Sequence, residues 1–268
     1  MQVDDQRYED AIIALRARLA KTKVANMELR REAPFIVVAD GGEPALDRGT
    51  GTVRWAADML EGDFFAKRPD KILPVFLFQG ADSYNRGVAA LTGDDPGTPY
   101  GFYSRTHGGL FMNIATGGGT LVHEIVHPYV EADFPNAPAW LNEGLGSLFE
   151  QSAERDGHIV GLTNWRLAGL QTAIARGGAP SFDKLTHLSD TEFYGDDSGL
   201  NYAAARYLLY YLQEHGKLRD LYRDFRAAAV DDPSGYQTLR DTLATLDEHD
   251  MAAFETKWRR YVAALSFP

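Results

Sequence analysis

His123-Glu124-Ile125-Val126-His127 sets two imidazoles four residues apart, with a carboxylate directly after the first. On a helix, positions i and i+4 lie about 40° apart around the axis, so both rings face one way and can share a metal ion. Glu124 stands about 100° round from His123, near such a metal but outside the direction of the ligands. A general base acting on a metal-bound water belongs there, and the chemistry is metal-assisted hydrolysis. Zinc sites of this kind typically use three protein ligands and a water, often two histidines and a glutamate, so one ligand must come from elsewhere in the chain.

Glu143, in Trp140-Leu141-Asn142-Glu143-Gly144, follows sixteen residues after His127 and is the natural candidate. Asp133 and Glu131 are the runners-up. A metzincin pattern would want Gly at 130 and His at 133, where the chain has Val130 and Asp133. Leu121, Val122, Ile125 and Val126 make the motif's helix at least half buried, and buried imidazoles need polar partners or a metal. Pro128 directly after His127 predicts a kink or an early helix end. A second helix is expected to start near Pro138, with Trp140, Leu141, Leu145, Leu148 and Phe149 on its apolar face. A helix, a turn and a returning helix would bring Glu143 back beside the histidines. Ser147 and Glu150, one and two turns on, suit either a partner that orients a ligand or an exposed face.

The pair HEIVH and WLNEG resembles the gluzincin metallopeptidases, and most of all the bacterial peptidase MA-like proteins. The resemblance covers about residues 100 to 216. It implies a zinc-dependent peptidase with one Zn2+ per chain on His123, His127 and Glu143. Glu124 would activate the zinc-bound water, and the substrate would be a peptide or protein. Asn201 to Leu212 is similar to the helix that carries the transition-state tyrosine in the aminopeptidase branch, which implies Tyr202 as oxyanion donor, with Tyr194 as the competitor. Gly101-Phe102-Tyr103-Ser104 matches the edge strand along which such enzymes bind substrate. The aminopeptidase motif Gly-x-Met-Glu-Asn is absent, since Gly109-Leu-Phe-Met-Asn113 lacks its glutamate. Two other readings stay open: a zinc hydrolase of a non-peptide amide, and a non-catalytic binding protein that keeps the fold. Retention of Glu124 speaks against the second.

The elements that must position these groups follow from patterning over 268 residues. Residues 4 to 22 read as an amphipathic helix and Phe35–Ala39 as a buried strand. A helix is expected over 48 to 65, a strand over Ile72–Phe78 and a helix over Ala81–Leu91. Gly101 to Ile114 reads as a hairpin turning at His107-Gly108-Gly109, and Thr120 as the N-cap of the metal helix. Everything after residue 138 is helical in pattern, with loops near 156–162, 177–181, 195–199 and 231–235. The expected class is α+β: a small mixed α/β lobe with an edge hairpin over 1–133, then a mostly helical lobe over 134–268. The implied arrangement is thermolysin-like, with the zinc between the lobes.

Composition narrows the rest. A net charge of −11 disfavours nucleic acid or an anionic membrane surface as partner. No apolar run reaches membrane-spanning length, so no membrane insertion is expected. The absence of cysteine excludes disulfides, thiolate ligands and a cysteine nucleophile. No signal-peptide pattern stands at the N-terminus: a native Met1 implies the cytoplasm, and a trimmed leader an exported protein. The remaining histidines, His107, His158, His187, His215 and His249, read as surface residues. Gly49-Thr-Gly51 lacks the further glycine and lysine of a phosphate loop.

Overall fold

Phe35-Ile-Val-Val-Ala39 holds no polar side chain, and all five positions are buried. Only a strand covered on both faces permits that. The computed structural model describes residues 2–24 and 26–267. The chain divides into two compact units, Met1–Glu61 with Lys67–Ala132 and Gly62–Ala66 with Asp133–Pro268. The architecture is mixed α+β.

The first unit runs α1 (Gln2–Thr22), β1 (Glu28–Glu32), β2 (Phe35–Ala39), α2 (Gly42–Asp63), β3 (Leu73–Phe78), α3 (Ala81–Thr92), β4 (Gly101–Ser104) and β5 (Gly109–Asn113). A 3-10 turn at Ile114–Thr116 leads into α4 (Gly119–Asp133). The strands form one sheet in the order β1-β2-β3-β5-β4. The three central strands are parallel, and the two edges pair antiparallel. Side chains alternate across the sheet. Ile36, Val38, Phe76, Phe78 and Phe111 meet Tyr8, Leu15 and Leu19 of α1 and Tyr84, Val88 and Leu91 of α3. On the other face α2 lies so close that a Cβ on Gly49 would come 2.1 Å from Leu77 Cδ1. There α4 sets Tyr129 edge-on to Phe35, with ring centroids 6.1 Å apart, and the Tyr129 hydroxyl donates to Glu61 of α2 at 2.5 Å.

In the second unit come α5 (Ala139–Phe149), β6 (Ser152–Arg155), β7 (His158–Gly161), α6 (Arg166–Ala175), α7 (Phe182–His187) and α8 (Asp190–Phe193). Then follow α9 (Ser198–Glu214), α10 (Leu218–Ala228), α11 (Tyr236–Ala244) and α12 (Met251–Ala264). Helices α5 and α9 form its centre. A Cβ on Gly144 would sit 2.8 Å from Leu209 Cδ1 and 3.4 Å from Ala205 Cβ, so the missing side chain sets their separation. Arg206 of α9 is fully buried and donates to the carbonyl oxygens of Leu148, at 3.3 Å, and Leu162. Burial lowers its pKa to about 10, which still leaves it charged at neutral pH.

Several expectations need correction. The helix read over 48 to 65 starts at Gly42, and Thr120 lies inside the first turn of α4 instead of capping it. Strand β1 escaped because Glu-Leu-Arg-Arg-Glu has no apolar alternation; as an edge it spends its arginines on ion pairs, Arg31 with Asp5 at 2.6 Å and Arg30 with Asp47 at 2.5 Å. The segment 156–162 is not a plain loop. Asp156 and Gly157 both take positive φ, 54° and 79°, and form the two-residue turn of the β6–β7 hairpin. Pro128 does not end its helix. Tyr129 and Val130, 0% and 2% exposed, are packed tightly enough to carry α4 on to Asp133 across the missing N–H.

The α5–α9 contact yields a test. Gly144→Val forces a branched side chain between two packed helices and is expected to cost about 1–3 kcal/mol, read as a lower urea midpoint. An unchanged midpoint would mean that the helices can part freely.

Candidate metal centre

Helix α4 brings the two imidazoles together as the four-residue spacing requires. The His123 and His127 ring centroids are 4.9 Å apart, with planes at 74°. Their neighbours Leu121, Ile125 and Val126 are at most 1% exposed, which fixes the helix face. Glu124 Oε2 lies 3.8 Å from His127 Nε2. It accepts the backbone N–H of Tyr103 at 2.8 Å. The edge strand β4 therefore steers the carboxylate at the same time as it finishes the sheet.

In α5, Glu143 is 6% exposed. Tyr194, at the C-terminal end of α8, donates its hydroxyl to Glu143 Oε1 at 2.6 Å. Tyr202, in the first turns of α9, has its ring 5.3 Å from Phe193 and 6.3 Å from Tyr194. The Arg166 guanidinium lies over the same ring, 5.1 Å from the Tyr202 centroid. Ser147 does not reach the Glu143 carboxylate: its hydroxyl back-bonds the Glu143 carbonyl at 2.6 Å. Glu150 is held by Arg166 at 2.6 and 2.9 Å.

His123, His127 and Glu143 each offer one ligand atom, and these atoms lie within 4.8 Å of one another. The three side chains are of a kind that could hold a metal ion. Two imidazoles and a carboxylate are ordinary donors for zinc. Among the described residues this is the one such group.

Both runner-up ligands are engaged otherwise. Glu131 accepts from the Tyr103 hydroxyl at 2.8 Å and from Arg105 at 3.0 Å. Burial and this carboxylate push the Tyr103 phenol well above its usual range. Asp133 is buried and bonded to the Tyr222 hydroxyl at 3.0 Å and to Arg226. Of the expected substrate strand, Gly101 lies close to the backbone of β5, where a Cβ would come 2.9 Å from the Phe111 carbonyl oxygen. The Phe102 ring stacks on Phe111 at 5.2 Å. What β4 can offer a ligand is backbone. Of the five other histidines, four are exposed and His107 is half-buried; Gly49 and Gly51 lie inside α2.

Spacing singled out the histidines, Glu124 and Glu143, and gave no sign of the two donors that hold the carboxylates. Neither leaves a local signal: one is a backbone amide, and the other comes from a tyrosine fifty-one residues away. Comparison with protein-family models and with curated proteins returns no match.

The engagement of Asp133 generates a prediction. Asp133→Asn should lower unfolding free energy by about 1–3 kcal/mol, since it weakens a charged pair at a buried acceptor. Zinc uptake, followed by equilibrium dialysis, should stay at the wild-type level. Loss of zinc from this variant would make Asp133 a ligand.

Proposed function

We propose that the protein is a zinc-dependent metallopeptidase of the gluzincin type, built on a thermolysin-like plan. His123, His127 and Glu143 hold one zinc ion, and Glu124 is the general base. The observation that carries this reading is the geometry of Glu124: a carboxylate on the imidazole-bearing helix, 3.8 Å from His127 Nε2 and oriented by the Tyr103 amide. A group used only to bind metal would have no need of it. The proximity of the three ligand atoms supports the metal itself.

Zinc held by these residues would supply Lewis acidity to water and to a carbonyl oxygen. Glu124 takes the proton of the attacking water and returns it to the leaving amine. The phenol of Tyr202 donates to the oxyanion as it develops. Strand β4 is an edge of the sheet, and the backbone of Gly101, Phe102 and Tyr103 receives the extended peptide by strand addition.

Purified protein should carry about one zinc per chain. Glu124→Gln keeps size and ligands and removes the proton acceptor. Turnover of a peptide library, lost in the presence of chelator, should fall by on the order of 10² or more at unchanged zinc content. Substantial residual turnover in this variant would remove Glu124 from the role of base.

Tyr202→Phe deletes one hydroxyl. Loss of an oxyanion donor should lower kcat roughly a hundredfold with KM and zinc content little changed. A lower melting temperature with normal turnover would instead make Tyr202 a packing partner of Phe193.

A further inference from the structure

We infer that Tyr194 is a positioning residue for the metal: its hydroxyl fixes Glu143 Oε1, so that the carboxylate meets the ion through Oε2. The inference rests on the reading of Glu143 as a ligand and goes beyond it. At 2.6 Å, the bond from the Tyr194 hydroxyl lies in the range of charge-assisted O–H to carboxylate contacts. Such a donor stabilises the ionised carboxylate, which is the form that binds metal, and it sets the plane of the group.

Tyr194 is itself held in place. Its ring meets fully buried Phe193 edge-on, with centroids 5.5 Å apart and planes at 81°. Helix α8 is closed at its start by a capping box between Ser189 and Glu192. At its end the Tyr194 N–H donates to the Asp190 carbonyl at 2.9 Å. The buried Asn201 side chain donates to the Phe193 carbonyl at 3.1 Å and ties this corner to α9. The phenol thus stands on a braced corner, although the residue is 48% exposed. A proton already directed at Glu143 serves a developing oxyanion only if that bond breaks. Tyr194 and Tyr202 therefore take separate roles, one acting through the ligand and one on the substrate.

The test uses the metal-free full chain and zinc alone. Competition against a fluorescent chelator gives the zinc Kd of wild type, Tyr194→Phe, Tyr202→Phe and Glu143→Ala. Tyr194→Phe should bind zinc about 10- to 100-fold more weakly, while Tyr202→Phe matches wild type. The cobalt(II)-substituted Tyr194→Phe protein should show an altered d–d absorption spectrum, because the carboxylate is no longer fixed. A lower metal-free melting temperature with zinc affinity and cobalt spectrum both at the wild-type value would mark a purely structural role and overturn the inference. Wild-type zinc affinity and an unchanged cobalt spectrum in Tyr194→Phe overturn the inference while Glu143→Ala still loses zinc. If Glu143→Ala also binds as wild type, the reading of Glu143 as a ligand falls, and the inference with it.

Discussion

Ionisable side chains buried on apolar helices are the constraint from which the rest of the structure follows. Leu121, Ile125, Val126 and Tyr129 of α4 and Trp140, Leu141, Leu145 and Leu148 of α5 are at most 1% exposed. A carboxylate among such neighbours costs several kcal/mol unless hydrogen bonds or an opposite charge meet it. Glu124 and Glu143 are 8% and 6% exposed. Each accepts from a donor fixed by the fold, the Tyr103 amide and the Tyr194 hydroxyl. The same contacts that make burial tolerable also aim the groups, so stability and orientation come from one set of atoms.

Aim is useful only if the helices do not drift. A constellation for catalysis or metal binding has to be held within about 0.5 Å by locked packing. In the first unit α4 lies on a sheet covered on both faces, and Tyr129 is anchored through Phe35 and Glu61. In the second unit the bare backbone at Gly144 lets α9 approach directly beside Glu143. Arg206 meets the carbonyl at the end of α5, where an unpaired acceptor would otherwise be buried. Close packing at Gly144 and polar closure at Leu148 thus bracket the turns of α5 that carry the carboxylate.

Much of this was legible in the sequence because it depends on short-range periodicity. The i, i+4 spacing of the histidines, the unbroken apolar run of β2 and the glycine-marked hairpin before α4 all act over a few residues. Tertiary packing overrode local rules at Pro128, where propensity predicts a break and the buried residues beyond it keep the helix going. Strand β1 was hidden because an edge needs only one neighbour, and its charged side chains find partners on helices instead of a core. The β6–β7 hairpin did carry a local mark, Asp156-Gly157, but Ser-Ala-Glu-Arg has little strand propensity of its own. Partners such as Tyr194 for Glu143 lie beyond any local pattern.

Four carboxylates stood close enough in sequence to compete for the ligand and base roles, and the chemistry of their partners separates them. Arg105 answers Glu131 and Arg226 answers Asp133. A guanidinium cancels the negative charge that it binds, which suits a structural anchor and leaves little to attract a metal ion. Glu143 accepts from a phenol, and Glu124 from an amide, with the His127 imidazole 3.8 Å away. A neutral donor orients a carboxylate without cancelling its charge. Spacing alone ranks Glu131, Asp133 and Glu143 as rivals; an arginine stands beside each of the first two, and Glu143 is the one grouped with the two histidines.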